Sequence, residues 1–232
     1  YLMNKTKIAF FDVCETLISF QTADAFVDYI RDNTDDDVVR GRMLRRERWL
    51  GFLKRIQVIR VCDKFLPGLK LEKRMKLWQL EGLKEVYLLT MGQHYVEDIL
   101  RYTEIKPVVN AMQQLMLEGY EVILVSAGYD VYLQFLGGLY GVPVIATELE
   151  FDNGICTGKW VGRDCYGQEK VRRICQYFGA SCEQLDGLQH SIAYSDSESD
   201  MPMLNLCKRK VAVIHGWRYN WGEPHGCEVV MV

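Results

Sequence analysis

The sequence predicts an α/β fold: a doubly wound parallel sheet with helices on both faces, carrying an inserted α-helical segment. Three observations lead there. Short apolar runs recur along the chain with helix-length amphipathic segments between them, the pattern of strands joined by crossover helices. Polar residues follow directly on three of those runs, namely Asp12, Ser126 and Asp196. Between the first and second runs lies a long stretch, 19–106, whose apolar residues recur at helical rather than strand spacing.

The elements follow in order. Ile8-Ala9-Phe10-Phe11 is a short apolar run that reads as a buried strand delivering Asp12 at its carboxyl end. Thr22 is placed as the N-cap of a helix over 23–31, where Phe26, Val27 and Ile30 fall on one face. Segments 35–60 and 71–102 are helix-like, broken near Pro67-Gly68 and Gly82. The next helix has Pro107 in its first turn and ends at Gly119. A strand over 121–125 then runs into Ser126-Ala127-Gly128, a further helix follows, and 142–146 reads as a buried strand. Asp152-Asn153-Gly154, between 149–151 and 155–160, is a hairpin turn. A helix over 168–178 leads to a strand over 191–194 ending at Ser195-Asp196, and 211–214 is the last core strand expected.

This order implies two units: an α/β core from 1–18 and 107–232, and a helical cap from 19–106 acting as a lid. Ligands of parallel sheets sit outside the carboxyl ends of the strands, near the point where strand order reverses. Asp12, Ser126 and Asp196 would therefore share one crevice. No internal repeat or low-complexity tract interrupts the pattern.

Composition is that of an ordinary globular protein: 49% hydrophobic, 25% charged, net charge −3. The charge is unevenly placed, with thirteen Lys and Arg against three Asp and Glu over 40–76. Such a segment is either a solvated helical face or a surface for a polyanion. Eight cysteines contain no Cys-x-x-Cys pair, no apolar run reaches the roughly 18 residues of a membrane span, and the first strand is too short for a leader. A cytoplasmic chain with reduced thiols and no membrane span is expected. No nucleic acid partner is expected, and the oligomeric state is not readable. His94, His190, His215 and His225 lack metal-ligand spacing and read as structural; the aromatic cluster over 217–221 takes no assignable role.

Four short segments carry the chemistry. Phe11-Asp12-Val13-Cys14-Glu15-Thr16-Leu17, Val125-Ser126-Ala127-Gly128, Gly167-Gln168-Glu169-Lys170 and Ser195-Asp196-Ser197-Glu198-Ser199-Asp200 together resemble the motifs of the haloacid dehalogenase (HAD) superfamily. The last two segments and the helical insertion look most like its phosphoserine phosphatase branch. The resemblance implies a Rossmann-like, HAD-like core and a magnesium-dependent phosphomonoester hydrolase. In that reading Asp12 is the nucleophile, Ser126, Ala127, Gly128 and Lys170 bind the phosphoryl group, and Gly128 at a helix start adds a backbone cradle. Magnesium would be held by Asp12, the backbone carbonyl of Cys14 and Asp196, with Asp200 mostly behind them. Carboxylate attack on a phosphoryl group brings negative charge toward negative charge, so a cation must bridge the two. A two-component receiver domain shares the acidic pair, hydroxyl and lysine but would not carry so long a helical insertion.

One residue departs from the family pattern. Cys14 stands where a second Asp normally protonates the leaving oxygen and then deprotonates water. A thiol can donate a proton at pH 7 but is a poor base. Glu15, next along, points elsewhere if the backbone is extended. Three readings stand open: a slow phosphatase, a phosphotransferase whose intermediate resists water, and a phospholigand-binding protein without turnover. Gln21 stands where the phosphoserine phosphatases carry a Glu that grips the substrate amine, which disfavours phosphoserine. Asp24, at the lid entrance, is the next candidate base and, with Gln21, a candidate for substrate selectivity. The expected substrate is a small phosphorylated metabolite. Arg45, Arg46, Arg48, Lys54, Arg55 and Arg60 would suit one with extra negative charge, and would equally suit a membrane surface or an acidic partner.

Overall fold

The protein is described by a computed structural model covering residues 7–179, 181, 188–216 and 218–232. Strand β1 (Ile8–Phe11) is fully buried: Ile8 and Phe10 pack into the apolar cluster that holds Ile174 of the later helix, and Ala9 and Phe11 into the cluster on the other face. Burying both faces explains why the run shows no alternation. Five helices follow: α1 (Thr22–Asn33), α2 (Asp37–Arg55), α3 (Val58–Phe65), α4 (Leu71–Leu77) and α5 (Glu85–Asp98). Breaks fall at Pro67–Leu69, a short 3₁₀ turn, and around Gly82, whose φ of 85° needs a residue free of a Cβ. The chain returns through α6 (Lys106–Leu117), with Pro107 in its first turn, to β2 (Glu121–Tyr129).

The rest of the core is α7 (Asp130–Tyr140), β3 (Val144–Thr147), the hairpin β4 (Leu149–Asp152) and β5 (Ile155–Trp160), α8 (Gln168–Tyr177), β6 (Leu188–Ser195), α9 (Met201–Leu204), β7 (Cys207–Ile214) and β8 (Glu228–Met231). Six strands form one sheet in the order β3-β2-β1-β6-β7-β8, every adjacent pair parallel. The chain builds outward from β1 through β2 to β3, then crosses back to β6 on the other side of β1. Strand order therefore reverses at β1, and the carboxyl end of β1 is where such a sheet opens a crevice. The hairpin is antiparallel and separate, with Asn153 and Gly154 both left-handed, as a two-residue turn of its type requires.

Several expectations need correction. The sheet does not end at 211–214: β8 pairs parallel with β7, and was illegible because it is a short, partly exposed edge strand. Thr22 is the first helical residue and not the cap, since its hydroxyl lies 2.7 Å from the Tyr132 hydroxyl and 3.1 Å from Cys14 Sγ. Cys14, Cys62, Cys156, Cys165, Cys207 and Cys227 are free, but Cys175 is disulfide-bonded, against the expectation of a fully reduced chain. Of the 217–221 cluster, Trp217 lies outside the described residues, while Trp221 is buried and donates from Nε1 to the Asp196 carbonyl at 2.8 Å. Among the described residues no helix is long and apolar enough to cross a membrane.

Candidate active site

Three strand ends converge. Asp12 leaves β1 buried, its backbone N–H still donating to the Tyr194 carbonyl of β6 at 3.0 Å. Lys170, in the first turn of α8, is 2% exposed and places Nζ 2.7 Å from Asp12 Oδ1 and 2.6 Å from Asp200 Oδ2. Ser195 donates to the same Asp200 oxygen at 2.8 Å. Thr16 joins the remaining carboxylates, its Oγ1 lying 3.0 Å from Asp12 Oδ2 and 3.3 Å from Asp196 Oδ1 while accepting from the Asp196 N–H at 2.9 Å. Asp12, Lys170, Asp196 and Asp200 thus form one connected group.

Cys14 closes the other side, with Sγ 3.1 Å from Thr22 Oγ1 and 3.9 Å from Ser126 Oγ. Ser126 is fully buried at a point where the β2–β3 register shifts, so 126–128 step out of the ladder. Its Oγ accepts from the Gly128 N–H at 3.1 Å, leaving its own hydroxyl hydrogen to donate. That contact differs from the expected cradle: Gly128 lies inside β2, α7 starts only at Asp130, and its N–H is already engaged. Glycine is needed at 128 for space, because a Cβ there would sit 2.3 Å from the Tyr132 hydroxyl oxygen.

Two residues in this crevice were not foreseen. Glu15 has a left-handed φ of 55°, which breaks the alternation of an extended chain and turns its carboxylate into the site. It accepts from Gln21 Nε2 at 2.5 Å and pairs with the guanidinium of Arg218. Arg218, in the loop after β7, also places Nη1 2.9 Å from Asp196 Oδ2. The rule that sites gather at strand carboxyl ends, applied to β7, would have pointed to this loop.

Charge in the crevice is unbalanced. Among the described residues, Asp12, Glu15, Asp196 and Asp200 are paired with two cations, Lys170 and Arg218. Burial pushes the Asp12 carboxyl up to about 7, with Lys170 opposing that rise and Asp200 and Asp196 adding to it. Asp196 is pushed up to about 6, again chiefly by burial and then by Glu15, against the pull of Arg218. Burial alone would lower the Lys170 ammonium, but Asp12 and Asp200 more than offset it and hold it charged. The Cys14 thiol is raised by burial and by the neighbouring Asp12 charge, so it stays protonated at neutral pH. An all-oxygen donor set with more carboxyl groups than cations suits a hard divalent cation. Among the described residues no three His, Cys, Asp or Glu side chains converge closely enough to hold an ion by themselves, which leaves backbone and water oxygens to complete a shell.

Two adjoining chambers open here, sharing Cys14, Gln21, Ala127 and Tyr166 as walls. One, about 430 Å³, contains Asp12, Lys170, Asp196, Asp200 and Arg218. The other, about 390 Å³, reaches toward the inserted helices and is lined by Asp24, Asp63, Lys70, Glu72, Lys73 and Asp164. Lys70 and Lys73 both pair with Asp164 at 2.6 Å, and Lys73 also donates to the Ala127 carbonyl at 2.6 Å. These contacts tie α4 to the core across the chamber. Asp24 carries no hydrogen bond or ion pair among the described residues, and burial raises its carboxyl. Arg45, Arg46, Arg48, Lys54, Arg55 and Arg60 line neither chamber.

Comparison with known proteins points one way. Residues 9–205 match the family model of haloacid dehalogenase-like hydrolases. The chain is 28% identical over 217 residues to a phosphoserine phosphatase, SerB1, of Mycobacterium tuberculosis, covering 90% of this chain and 65% of that one. It is 28% identical over 114 residues to a histidinol-phosphatase of Neisseria meningitidis, covering 46% of this chain and 51% of that one. The chain thus spans about half to two thirds of the length of these relatives. A crystal structure of a Bordetella pertussis protein of unknown function superposes with a TM-score of 0.76 at 22% identity, covering 97% and 98% of the two chains. An apo phosphoserine phosphatase structure gives 0.55 at 19% identity, covering 90% and 86%. These two likenesses concern the fold alone.

Proposed function

The chain belongs to the haloacid dehalogenase-like hydrolase family, and from that premise we propose that it is a magnesium-dependent phosphomonoester hydrolase acting through a phosphoryl-enzyme on Asp12. The observation that carries this reading is the Asp12 carboxylate at the sheet's switch point, with Lys170 Nζ at 2.7 Å. One carboxylate oxygen is held by Lys170 and the other by Thr16, so the group is oriented before substrate arrives. An Asp12 oxygen forms the new bond to phosphorus as the ester oxygen leaves with its electron pair. Lys170 stabilises the equatorial oxygens, joined by Ser126 when its hydroxyl hydrogen turns from Cys14 Sγ to the phosphoryl group. The metal would be held by Asp12 and Asp196 with backbone and water oxygens, and supplies charge neutralisation there when bound. The helices between α1 and α5 act as the cap, with the chamber beside Asp24 receiving the leaving group of a small phosphorylated metabolite.

The proton transfers are the weak point. The Cys14 thiol can give its proton to the leaving oxygen, though its raised pKa makes it a reluctant acid. Water that cleaves the aspartyl-phosphate then needs a base. Glu15 is engaged by Arg218 and Gln21 and so is not free to serve. Dephosphorylation is the slow step in this account. The same observation favours a second reading, in which an alcohol accepts the phosphoryl group in place of water.

Turnover of a nitrophenyl phosphate, with and without magnesium, tests the reading. The wild type should release phosphate only with the metal, and Asp12→Asn should be inactive, its amide being a poor nucleophile. Full activity in Asp12→Asn would end the covalent mechanism. Phosphate appearing on added alcohol faster than in water would select the transferase.

A further inference from the structure

The basic segment has a physical character of its own. Along α2 and its C-cap residue, Arg45, Arg48, Trp49, Phe52, Arg55 and Ile56 are related by three- and four-residue steps, one stripe of a helix. All six are exposed, Trp49 by 52%, and the Trp49 and Phe52 rings stack at 5.6 Å. On α3 the inner face holds the buried Ile59, while Val58, Val61 and Phe65 form an outer apolar line flanked by Arg60 and Lys64. Phe65 is 73% exposed. Of twenty-one large apolar side chains exposed among the described residues, nine lie between Leu44 and Leu69. Exposed apolar groups gathered this way mark an interaction surface.

Charge decides what the surface fits. Arg45, Arg48, Arg55, Arg60 and Lys64 have no ion-pair partner among the described residues. The acids of the segment are all engaged: Glu47 by Lys76 and Gln79, Glu72 by Lys54, and Asp63 by the backbone N–H groups of Leu71 and Glu72. The segment therefore carries a net positive charge, with Arg45, Arg48, Arg55, Arg60 and Lys64 on its exposed face. Arg and aromatic residues are enriched at protein–protein interfaces too, but the centres of those interfaces are depleted in charge, whereas here five cations run the length of the apolar line. Nucleic acid would use the cations and stack on Trp49 or Phe52, but gains little from Ile56, Val61 and Leu66. A bilayer uses all three: headgroup phosphates pair with the cations, aromatic rings settle at the headgroup level, and aliphatic groups enter the acyl boundary.

We propose that the outer face of α2 and α3 docks this protein on an anionic membrane surface. Binding is peripheral and reversible, and it leaves the chambers beside Asp12 open, since the docking side chains line neither of them. Sedimentation with vesicles tests it. The chain should co-sediment with vesicles of equal parts phosphatidylcholine and phosphatidylserine, not with phosphatidylcholine alone, and added salt should release it. Each cation near such a surface contributes roughly fivefold to affinity, so Arg48→Gln with Arg55→Gln should weaken binding about 25-fold. Trp49→Ser with Phe52→Ser should also weaken binding at low salt, where the wild type is held, because the apolar contribution is lost. Both double variants should melt near the wild-type temperature and keep nitrophenyl phosphate turnover. Failure to bind the mixed vesicles overturns the proposal. So does tighter binding to single-stranded oligonucleotides lost in the same variants, or a concentration-dependent dimer that Trp49→Ser abolishes.

Discussion

Arg218 and Asp196 form an ion pair of 2.9 Å inside the crevice, although they reach it from different strand ends: Asp196 follows β6 and Arg218 follows β7. The same guanidinium pairs with Glu15. A cation supplied by the chain thus sits on a carboxylate that the proposed metal also needs. Lys170 pairs instead with Asp12 Oδ1 and Asp200 Oδ2, and leaves Asp196 to Arg218.

Removing that competitor should strengthen metal binding. A partly exposed ion pair is worth up to about 1 kcal/mol, so Arg218→Ala should bind magnesium up to roughly fivefold more tightly in a calorimetric titration. Asp196→Ala should weaken binding, and more than Asp200→Ala, whose carboxylate is already held by Lys170 and Ser195. Unchanged or weaker binding in Arg218→Ala would show that the guanidinium and the metal do not share Asp196.

The close approach of α5 to α7 requires a glycine. A Cβ on Gly92 of α5 would sit 2.2 Å from the Val131 carbonyl oxygen of α7, a contact with backbone that cannot rotate away. Gly92→Ala should therefore push the two helices apart and lower stability by about 1–3 kcal/mol, the usual cost of overpacking. The denaturation midpoint checks this. An unchanged midpoint would mean that α5 can shift off α7 without loss.

Asp130 gives the fold a pH dependence. Burial pushes its carboxyl from 3.8 up to about 6, opposed by hydrogen bonds from the Leu149 and Val131 N–H groups. The folded state therefore binds the proton more readily than the unfolded chain, and this residue's contribution to stability falls as pH rises from about 4 to about 6. Asp130→Asn keeps the acceptor oxygen without the charge. It should be more stable than wild type by roughly 1–2 kcal/mol at pH 7 and lose that advantage below pH 4, as urea midpoints across that range would report. A constant difference at every pH would contradict the assignment.

Much of this architecture was legible because strand-ending polar residues and crossover helices are written in short contiguous segments. Asp12, Lys170, Asp196 and Asp200 belong to such segments and are joined in one hydrogen-bonded group, whereas Ser126 is fully buried and meets the site through Cys14 at 3.9 Å. Arg218 was not legible, since a loop arginine has no periodicity and its partners lie 22 and 203 residues away. Glu15 was misread because the alternation rule assumes extended backbone, and its φ of 55° is a property of the turn. Thr22 is a good cap by residue type, yet the hydroxyls and thiol facing it, Tyr132 and Cys14, come from distant elements. The outward face of the basic segment needed coordinates as well, because a charge run alone does not say which of its members are already paired.

The most direct test of the account is a pre-steady-state comparison of wild type and Cys14→Asp on nitrophenyl phosphate. The nitrophenolate leaving group needs little acid help, so the phosphoryl-enzyme should form readily and its hydrolysis should limit the wild type. A burst of nitrophenol equal to the enzyme concentration should precede slow turnover. Cys14→Asp should raise steady-state hydrolysis by up to roughly 10²-fold, within the range of a positioned acid–base group, and abolish the burst. An equal or lower rate in Cys14→Asp, or a wild type without a burst, would contradict the claim that Cys14 leaves the second step without its base.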